Sequence, residues 1–164
     1  MRIERVNNVI KNKSDIMSIY GTLFTVTNGI QAVGDKCLKD ITMRQQFLLT
    51  CLDLFDDYNP SLHELARVFG SSYQNIKKIS KQLEDEGYLE IRKDSLDRRK
   101  LRIILNKEKF AEHQEALTDK CSNFSNSLMN GISNEEKMIL QKTLLKMENN
   151  LSKIEENLED LEEF

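Results

Sequence analysis

The intervals between apolar residues predict two helices before residue 56. Over residues 16–38, apolar side chains recur every three or four positions, the period of an α-helix with one buried face. They are Ile16, Ile19, Tyr20, Leu23, Phe24, Ile30, Val33, Cys37 and Leu38. The capping box Thr42-Met43-Arg44-Gln45 then opens a second helix. Its inward residues are predicted to be Phe47, Leu48, Cys51, Leu52 and Phe55.

The chain after residue 105 is also predicted to be helical. Asn106 starts a helix that ends at Gly131, with Phe110, Gln114, Leu117, Cys121, Phe124 and Leu128 along one side. The capping box Ser133-Asn134-Glu135-Glu136 opens a final helix whose apolar residues are alternately four and three positions apart. This seam consists of Leu140, Leu144, Met147, Leu151, Ile154, Leu158 and Leu161. A seam of about three heptads predicts a helix interface, closed on the first helix or, as we favour, shared by two subunits.

Between these flanks, residues 61–105 predict the order helix, turn, helix, strand, loop, strand. Ser61 and Glu64 form a capping box for a helix with Leu62, Leu65, Ala66 and Phe69 inward. Gly70 suits the left-handed conformation of a tight turn. Ser71 or Ser72 caps the next helix, in which Ile76, Ile79 and Leu83 point inward. The pattern is that of a helix-turn-helix.

The outer face of the second helix carries candidate DNA-binding residues. Gln74, Lys77, Lys78 and Lys81 repeat at helical intervals, and Ser72, Tyr73 and Asn75 occupy the first turn. Taken alone, the lysines would be an ordinary solvated face. Their position opposite a buried face, at the helix that would enter a major groove, instead favours contacts to bases from the first turn and to phosphates from the lysines.

Two strands follow, and the loop between them is basic. Residues 88–93 and 100–105 alternate apolar with polar side chains, with Leu101, Ile103 and Leu105 inward. The intervening loop contains Asp97, Arg98, Arg99 and Lys100. A loop arginine is suited to a narrow minor groove, where the negative potential is concentrated. The whole order predicts a winged helix-turn-helix.

The predicted fold class is therefore mainly α with a small β component (α+β). It consists of a winged helix-turn-helix over residues 42–105, flanked by long N- and C-terminal dimerisation helices. Residues 1–41 and 106–164 form the helical dimerisation region, and the whole is expected to be one intertwined domain.

Charge is unevenly distributed along the chain. The 164 residues carry a net charge of −3, which by itself argues against nucleic acid. Residues 61–105, however, hold ten Lys or Arg against seven Asp or Glu, whereas residues 135–164 hold four against nine. A local basic face is what phosphate contact requires. Residues 1–13 do not have the pattern of a signal peptide and no segment resembles a membrane span, so we expect a cytoplasmic protein.

These residues resemble the MarR family of transcriptional regulators. The resemblance rests on Leu65-Ala66 and Gly70, on the run Leu83-Glu84-Asp85-Glu86-Gly87-Tyr88-Leu89, and above all on Asp97-Arg98-Arg99 followed by residues 101–105. In that family an Asp-x-Arg pair marks the wing. Carried over, Asp97 would orient Arg99, and Arg99 would reach the minor groove. Asn106 stands where the family usually has Thr, and Asn also caps helices well.

The resemblance implies a dimeric DNA-binding repressor that a small ligand releases. Interlocked terminal helices would hold two subunits together, and a symmetric dimer predicts a pseudo-palindromic operator in double-stranded DNA. Family members often bind a small aromatic ligand beside the winged helix. The residues available for such a crevice are Tyr20, Phe24, Phe47, Phe55 and those near Phe110, all of which would serve equally well in a core.

Other chemistry is weakly represented. His63 and His113 lie on different predicted helices, and Cys37, Cys51 and Cys121 lack metal-ligand spacing. We therefore predict no metal, no cofactor and no catalytic residue, and not an enzyme. Two alternatives remain: a winged helix that binds protein, and a redox-sensing regulator that uses Cys37, where Lys36 and Lys39 would favour the thiolate.

Overall fold

The computed structural model describes residues 15–162, with side chains over residues 16–158. Its elements are α1 (Asp15–Leu38), α2 (Met43–Asp53), α3 (Leu62–Phe69), α4 (Tyr73–Asp85), β1 (Leu89–Lys93), β2 (Leu101–Leu105), α5 (Lys107–Leu128) and α6 (Asn134–Glu162). The predicted fold class, mainly α with a winged helix-turn-helix, is confirmed. The expectations for residues 1–13 and for the Leu161 side chain lie outside the described residues.

Local side-chain chemistry sets the helix starts as predicted. Thr42 and Ser61 form complete capping boxes with Gln45 and Glu64. Ser133 forms another with Glu136, whose carboxylate accepts from the Ser133 amide at 2.8 Å. Of the two serines proposed for α4, Ser72 is the N-cap. The caps matter here because they fix where the two helices of the helix-turn-helix begin.

The turn between α3 and α4 depends on glycine. Gly70 has φ +60°, a left-handed conformation that costs other residues free energy. Its amide donates to the Ala66 and Arg67 carbonyls and so closes the last turn of α3. The turn sets the crossing of the two helices.

A single apolar core holds the winged helix together. Its fully buried members include Leu48, Leu49, Leu62, Leu65, Ile76, Leu83 and Ile103. The prediction that Phe47 points inward is wrong: its side chain is 51% exposed and its ring lies 5.2 Å from that of Phe69. Leu49 occupies the core in its place, because α2 packs on neighbours through the face that carries Gln45, Leu48 and Leu52.

The two strands form an antiparallel hairpin that is joined to the helix-turn-helix. Ile91 pairs with Ile103 and Lys93 with Leu101, so Ile103 points into the core while Arg102 points away. An isolated bridge pairs Ser61 with Arg102, and the Ile103 amide donates to the Pro60 carbonyl at 2.9 Å. The backbone just before α3 therefore extends the sheet.

Helix α5 starts at the sheet and returns to the core. The Asn106 side chain accepts from the Lys109 amide and donates to the Gly87 carbonyl, which confirms the predicted helix start. Phe110 and Leu117 are buried in the same core as α2. In α1, Gly34 is buried against the Met43 side chain, so any larger residue there would require the Met43 side chain to move.

The chain divides into two compact units, with the boundary between Phe124 and Ser125 in α5. In the second unit, α6 exposes a row of large apolar side chains: Met138, Ile139, Leu140, Leu144, Leu145, Leu151, Ile154 and Leu158. Helix α1 in the first unit does the same at Ile16, Met17, Ile19, Tyr20, Phe24, Val26 and Val33. Across residues 15–162, no helix is both long and apolar enough to cross a membrane.

Candidate nucleic-acid interface

Helix α4 has one face in the core and the other in solvent. Ile76, Ile79 and Leu83 are buried on the inner face, as predicted. Gln74, Lys77, Lys78 and Lys81 are exposed on the outer face. The buried residues fix the rotation of the helix, so that the outer side chains project together as one polar and cationic surface.

The first turn of α4 is held by its neighbours. The Tyr73 ring stacks on His63 of α3 with centroids 4.4 Å apart and planes 26° from parallel. Asn75 donates from Nδ2 to the Ser71 Oγ at 2.8 Å, while its backbone amide is capped by Ser72. Gln74 remains exposed between them. These contacts orient Tyr73 and Asn75 before any ligand binds.

Lys81 differs from the other lysines of α4. Its ammonium group lies 2.9 Å from a Glu84 carboxylate oxygen and 3.1 Å from an Asp85 carboxylate oxygen. These contacts raise the pKa of Lys81 and lower the pKa of Glu84. A phosphate contact by Lys81 would have to compete with two carboxylates, although exposed ion pairs of this kind contribute little free energy.

The wing loop, residues 94–100, is organised by two aspartates. Asp94 Oδ1 accepts from the amides of Leu96 and Asp97 at 2.8 and 2.9 Å. Asp97 Oδ1 accepts from the Arg99 Nε and from the Arg99 amide, both at 3.1 Å. The predicted Asp97–Arg99 pair is therefore present in the free chain, and the Arg99 side chain is 92% exposed.

The rest of the wing loop faces solvent. Arg98 and Lys100 are exposed, and so is Leu96 at the tip. The structure thus places cationic side chains on two protrusions, α4 and the wing loop. The eleven DNA-binding assignments made from the sequence stay predictions.

Sequence reasoning missed a cluster of polar residues behind the wing loop, which we call the Arg102 cluster: Arg102, Asp94, Glu64 and Tyr58. Arg102 Nε donates to Asp94 Oδ2 at 2.6 Å, and Nη1 lies within 3.2 Å of Tyr58 Oη, Glu64 Oε2 and the Asn59 carbonyl. Hydrogen bonds from the Ser61 amide and the Tyr58 hydroxyl lower the pKa of Glu64 to about 2. Bonds from the Asp97 amide, the Arg102 guanidinium and the Leu96 amide lower the pKa of Asp94 to about 2.

One signal for this cluster was present in the sequence. In an antiparallel hairpin, residues 93 and 101 are opposite each other, so Asp94 and Arg102 flank the same end of the loop. Tyr58 and Glu64 carried no such signal, because they precede Arg102 by about forty positions and meet it only in the folded chain.

A second polar contact links α5 to the winged helix. His113 Nδ1 lies 3.1 Å from the Tyr88 hydroxyl, and Nε2 lies 2.7 Å from Gln46 Oε1. Burial lowers the pKa of His113 and raises that of Tyr88. Both groups are therefore neutral near pH 7, and the contact joins α2, the residue just before β1 and α5.

A cleft of about 410 Å³ lies between α2 and α5 in the first unit. Gln46, Phe47, Leu117 and Cys121 are among its lining residues. Of the aromatic residues expected to line a crevice, Phe47 is in this cleft. Tyr20 and Phe24 are instead exposed on α1, Phe55 lies 6.1 Å from Tyr58, and Phe110 is in the core.

The six residues predicted for dimerisation lie on α6. Leu140, Leu144, Leu151, Ile154 and Leu158 are exposed, and Met147 is partly covered.

Cys51 is buried, which raises its pKa and makes it unreactive. Cys37 and Cys121 are half-buried free thiols. No group of three ligating side chains that could hold a metal ion occurs among the described residues.

Comparison with known proteins relates this arrangement to one family. The MarR family model matches residues 41–101, which run from the end of the α1–α2 loop to the first residue of β2. A search of curated protein sequences found no match.

Solved structures share the fold over most of the chain. The organohalide-sensing RdhR-CbdbA1625 transcriptional regulator, in its 2,4-dichlorophenol-bound form, has a TM-score of 0.73 and 22% identity, and the match covers 85% of this chain and 83% of that one. MepR of S. aureus in complex with DNA gives a TM-score of 0.68, 19% identity and coverage of 84% and 99%. BpsR of Bordetella bronchiseptica, a protein whose DNA binding is regulated by 6-hydroxynicotinic acid, has a TM-score of 0.66 and 20% identity. The match covers 77% of this chain and 89% of that one.

At these identities the structural likeness establishes the fold alone, whereas the family model rests on the sequence of the winged helix itself. Both findings cover the helix-turn-helix and the first strand of the hairpin described above, so this segment of the chain is similar to the MarR family.

Proposed function

We propose that this chain is a homodimeric, sequence-specific DNA-binding repressor of transcription, working in the cytoplasm on a pseudo-palindromic operator and released by a small aromatic ligand. The observation that carries the proposal is the pairing of two exposed cationic protrusions on one core. Helix α4 presents Gln74, Lys77 and Lys78, and the wing loop presents Arg98 and Arg99. Side chains of these types suit base edges, phosphates and a minor groove.

The charge of the two protrusions favours DNA over a protein partner. A wing that had become a protein-binding element would gain nothing from three adjacent cations at residues 98–100. MepR, which shares the fold, was crystallised with DNA, and this supports the same ligand here. Basic side chains on α4 and the wing loop would neutralise phosphates on both sides of the groove.

The homodimer is supported by the apolar side chains that α1 and α6 expose. Single exposed leucines are normal, but contiguous rows along two long helices are typical of an interface. The heptad spacing of α6 suits packing against another helix. A two-fold dimer would present two copies of α4, which predicts half-sites about one turn of DNA apart.

Release by a ligand is supported by the cleft between α2 and α5. Its volume is within the range of small-molecule sites, and its lining is part apolar and part polar. RdhR-CbdbA1625 was solved with 2,4-dichlorophenol, and the DNA binding of BpsR responds to 6-hydroxynicotinic acid. Both compounds are small, aromatic and hydroxylated, the class we propose for this cleft.

The decisive experiment selects binding duplexes from a randomised DNA library with the purified full-length chain. We expect a pseudo-palindrome to be enriched, and the selected duplex to be shifted in a gel at nanomolar to sub-micromolar protein. Affinity should fall steeply between two salt concentrations. Recovery of no preferred sequence would overturn the regulator proposal and leave the protein-binding alternative.

The ligand is tested on the same duplex with 2,4-dichlorophenol and 6-hydroxynicotinic acid as probes. Thr118 lines the cleft, so Thr118→Phe should fill part of it and abolish any release by the probes. Ala116→Phe is the matched control, because Ala116 is exposed on the same helix and does not line the cleft. Release that survives Thr118→Phe would place the ligand elsewhere.

A further inference from the structure

The Arg102 cluster connects the wing loop to the helix-turn-helix through side chains. Arg102 is on β2, Asp94 precedes the wing loop tip, Glu64 is on α3, and Tyr58 lies before α3. The guanidinium group donates to Asp94 on one side and to Tyr58, Glu64 and the Asn59 carbonyl on the other. It also lies over the Tyr58 ring, 5.5 Å from its centroid. One side chain thus joins the wing loop to α3 and to the segment before it.

The cluster continues into the wing loop. The Asp94 carboxylate accepts a hydrogen bond from Arg102 Nε and also accepts hydrogen bonds from the amides of Leu96 and Asp97. Asp97 in turn holds Arg99. An unbroken chain of hydrogen bonds therefore runs from α3 through Arg102 and Asp94 to the arginine that is predicted to enter the minor groove.

We propose that Arg102 is a positioning residue for DNA recognition, which holds the wing loop at a fixed distance from α4 so that both can engage one DNA duplex. The inference rests on the proposed DNA-binding function. It assigns Arg102 a role different from those of Arg98 and Arg99. Those two are exposed cations, whereas the Arg102 side chain is only 25% exposed, and its Nε and Nη1 together face four oxygen acceptors.

The alternative is that Arg102 contacts a phosphate directly. A phosphate contact needs free donors, and here the Nε and Nη1 groups donate within the protein. It also depends mainly on charge, which lysine would preserve. The cluster instead requires the planar fork of arginine, because two separate nitrogens must reach acceptors on opposite sides.

Two substitutions separate these two roles. Asp94→Asn removes a negative charge from the interface, so charge alone predicts equal or tighter DNA binding. If Arg102 positions the wing loop, loss of its contact with Asp94 should weaken DNA binding on the order of fivefold, because the wing loop is no longer fixed in place. Arg102→Lys should weaken binding by a similar factor, although the net charge of the protein is unchanged.

Glu90→Gln is the matched control for Asp94→Asn. Glu90 is a carboxylate on β1 that also binds an arginine, Arg92, at 2.5 Å, but it lies outside the Arg102 cluster. Its loss should leave affinity equal or slightly higher. Circular dichroism melting of each variant checks that the winged helix remains folded at the assay temperature.

A coupling measurement tests positioning rather than simple destabilisation. If Arg102 acts through the wing loop, Arg99→Ala should lose much less affinity in the Arg102→Lys background than in the wild type. Independent effects would give the same fold-change in both backgrounds. Equal losses, or wild-type affinity in both Asp94→Asn and Arg102→Lys, would overturn the inference.

The free protein provides a test that does not need DNA. Amide hydrogen exchange at Leu96, Asp97 and Lys100 should quicken by roughly threefold or more in Arg102→Lys, while amides of α4 keep their wild-type rates. Unchanged exchange in the wing loop would overturn the inference. If the wild type selects no duplex, the proposed function fails, and this exchange experiment still decides whether Arg102 holds the loop.

Discussion

The winged helix and helix α6 use similar apolar residues in opposite ways. Leu83 of α4 is fully buried within the chain, whereas Leu151 of α6 is 65% exposed. In the winged helix, residues from α2, α3, α4 and the hairpin meet in one core. In α6, the heptad row lies on the surface of its own unit. The first region buries its apolar residues within the chain, whereas those of the second are exposed and would be covered in the proposed homodimer.

The largest effect is expected from a charge placed in the α6 row. Leu151→Glu should dissociate the proposed homodimer, because an unpaired carboxylate at a helix interface costs several kcal/mol. Operator affinity should fall by about a hundredfold or more, since two half-sites are no longer engaged together. Light scattering and gel shifts measure the two quantities.

Asn149→Glu is the matched control, because Asn149 lies on the same helix outside the apolar row and is exposed. It should stay dimeric and bind normally. A Leu151→Glu protein that is still dimeric would put the interface elsewhere and leave α1 as the principal candidate.

The comparison is sharpened by truncating one leucine in each region. Leu83→Ala should lower the free energy of unfolding by about 2–5 kcal/mol at every protein concentration, because it leaves a cavity in the core of one subunit. Leu158→Ala should destabilise the proposed homodimer in proportion to the area of the Leu158 side chain that the partner subunit covers. Its effect on unfolding should therefore depend on protein concentration. Urea unfolding at two concentrations checks this, and a concentration-independent loss in Leu158→Ala would count against an intersubunit role.

Within the winged helix, the wing loop can be separated from the core. Arg99→Ala should weaken operator binding by about 1–3 kcal/mol and leave the melting temperature unchanged, because the side chain is solvent-exposed in the free chain. Asp97→Ala should weaken binding less, although it removes a negative charge. Arg92→Ala removes the same charge from β1 as Arg99→Ala does from the loop and should have a smaller effect. Wild-type affinity in Arg99→Ala would refute the minor-groove assignment.

The lysines of α4 should differ from one another. Lys77→Gln should lower the salt slope of DNA binding by about one unit per subunit, with equal loss on specific and random DNA. Lys81→Gln should act in the same direction but more weakly, because Glu84 and Asp85 already hold that ammonium. Gln74→Ala should instead relax sequence preference. Equal losses on every sequence for all three would mean that bases are read elsewhere.

The smallest effect concerns pH. Burial lowers the pKa of His113 below its ordinary value of 6.5, so the folded chain takes up this proton only at lower pH than the unfolded chain. The contribution of neutral His113 to the stability of the fold is therefore fully present above about pH 6.5 and is lost as the pH falls below that value. His113→Gln should remove this part of the pH dependence, so that the melting temperature falls less between pH 7 and pH 5 in the variant than in the wild type. An identical pH profile in the variant would contradict the buried neutral state.

Much of the winged helix could be predicted from the sequence because its signals are local. Capping at Thr42, Ser61 and Ser133, the left-handed Gly70 and the Asp97–Arg99 pair each involve residues at most four positions apart. The alternating period of the strands fixed which residues of β2 face the core. Local chemistry of this kind is the same wherever the segment lies, so it survives folding unchanged.

The tertiary structure decided what depends on distant neighbours. The apolar spacing of α2 does not determine which face of the helix meets α3. In the folded chain that packing leaves Phe47 exposed and buries Leu49. The Arg102 cluster and the His113–Gln46 contact join residues about forty and 67 positions apart. The spacing of apolar and polar residues along the chain indicates which side chains need partners. The packing of the helices determines which residues those partners are, because contacts depend on distance in three dimensions and not on separation in the sequence.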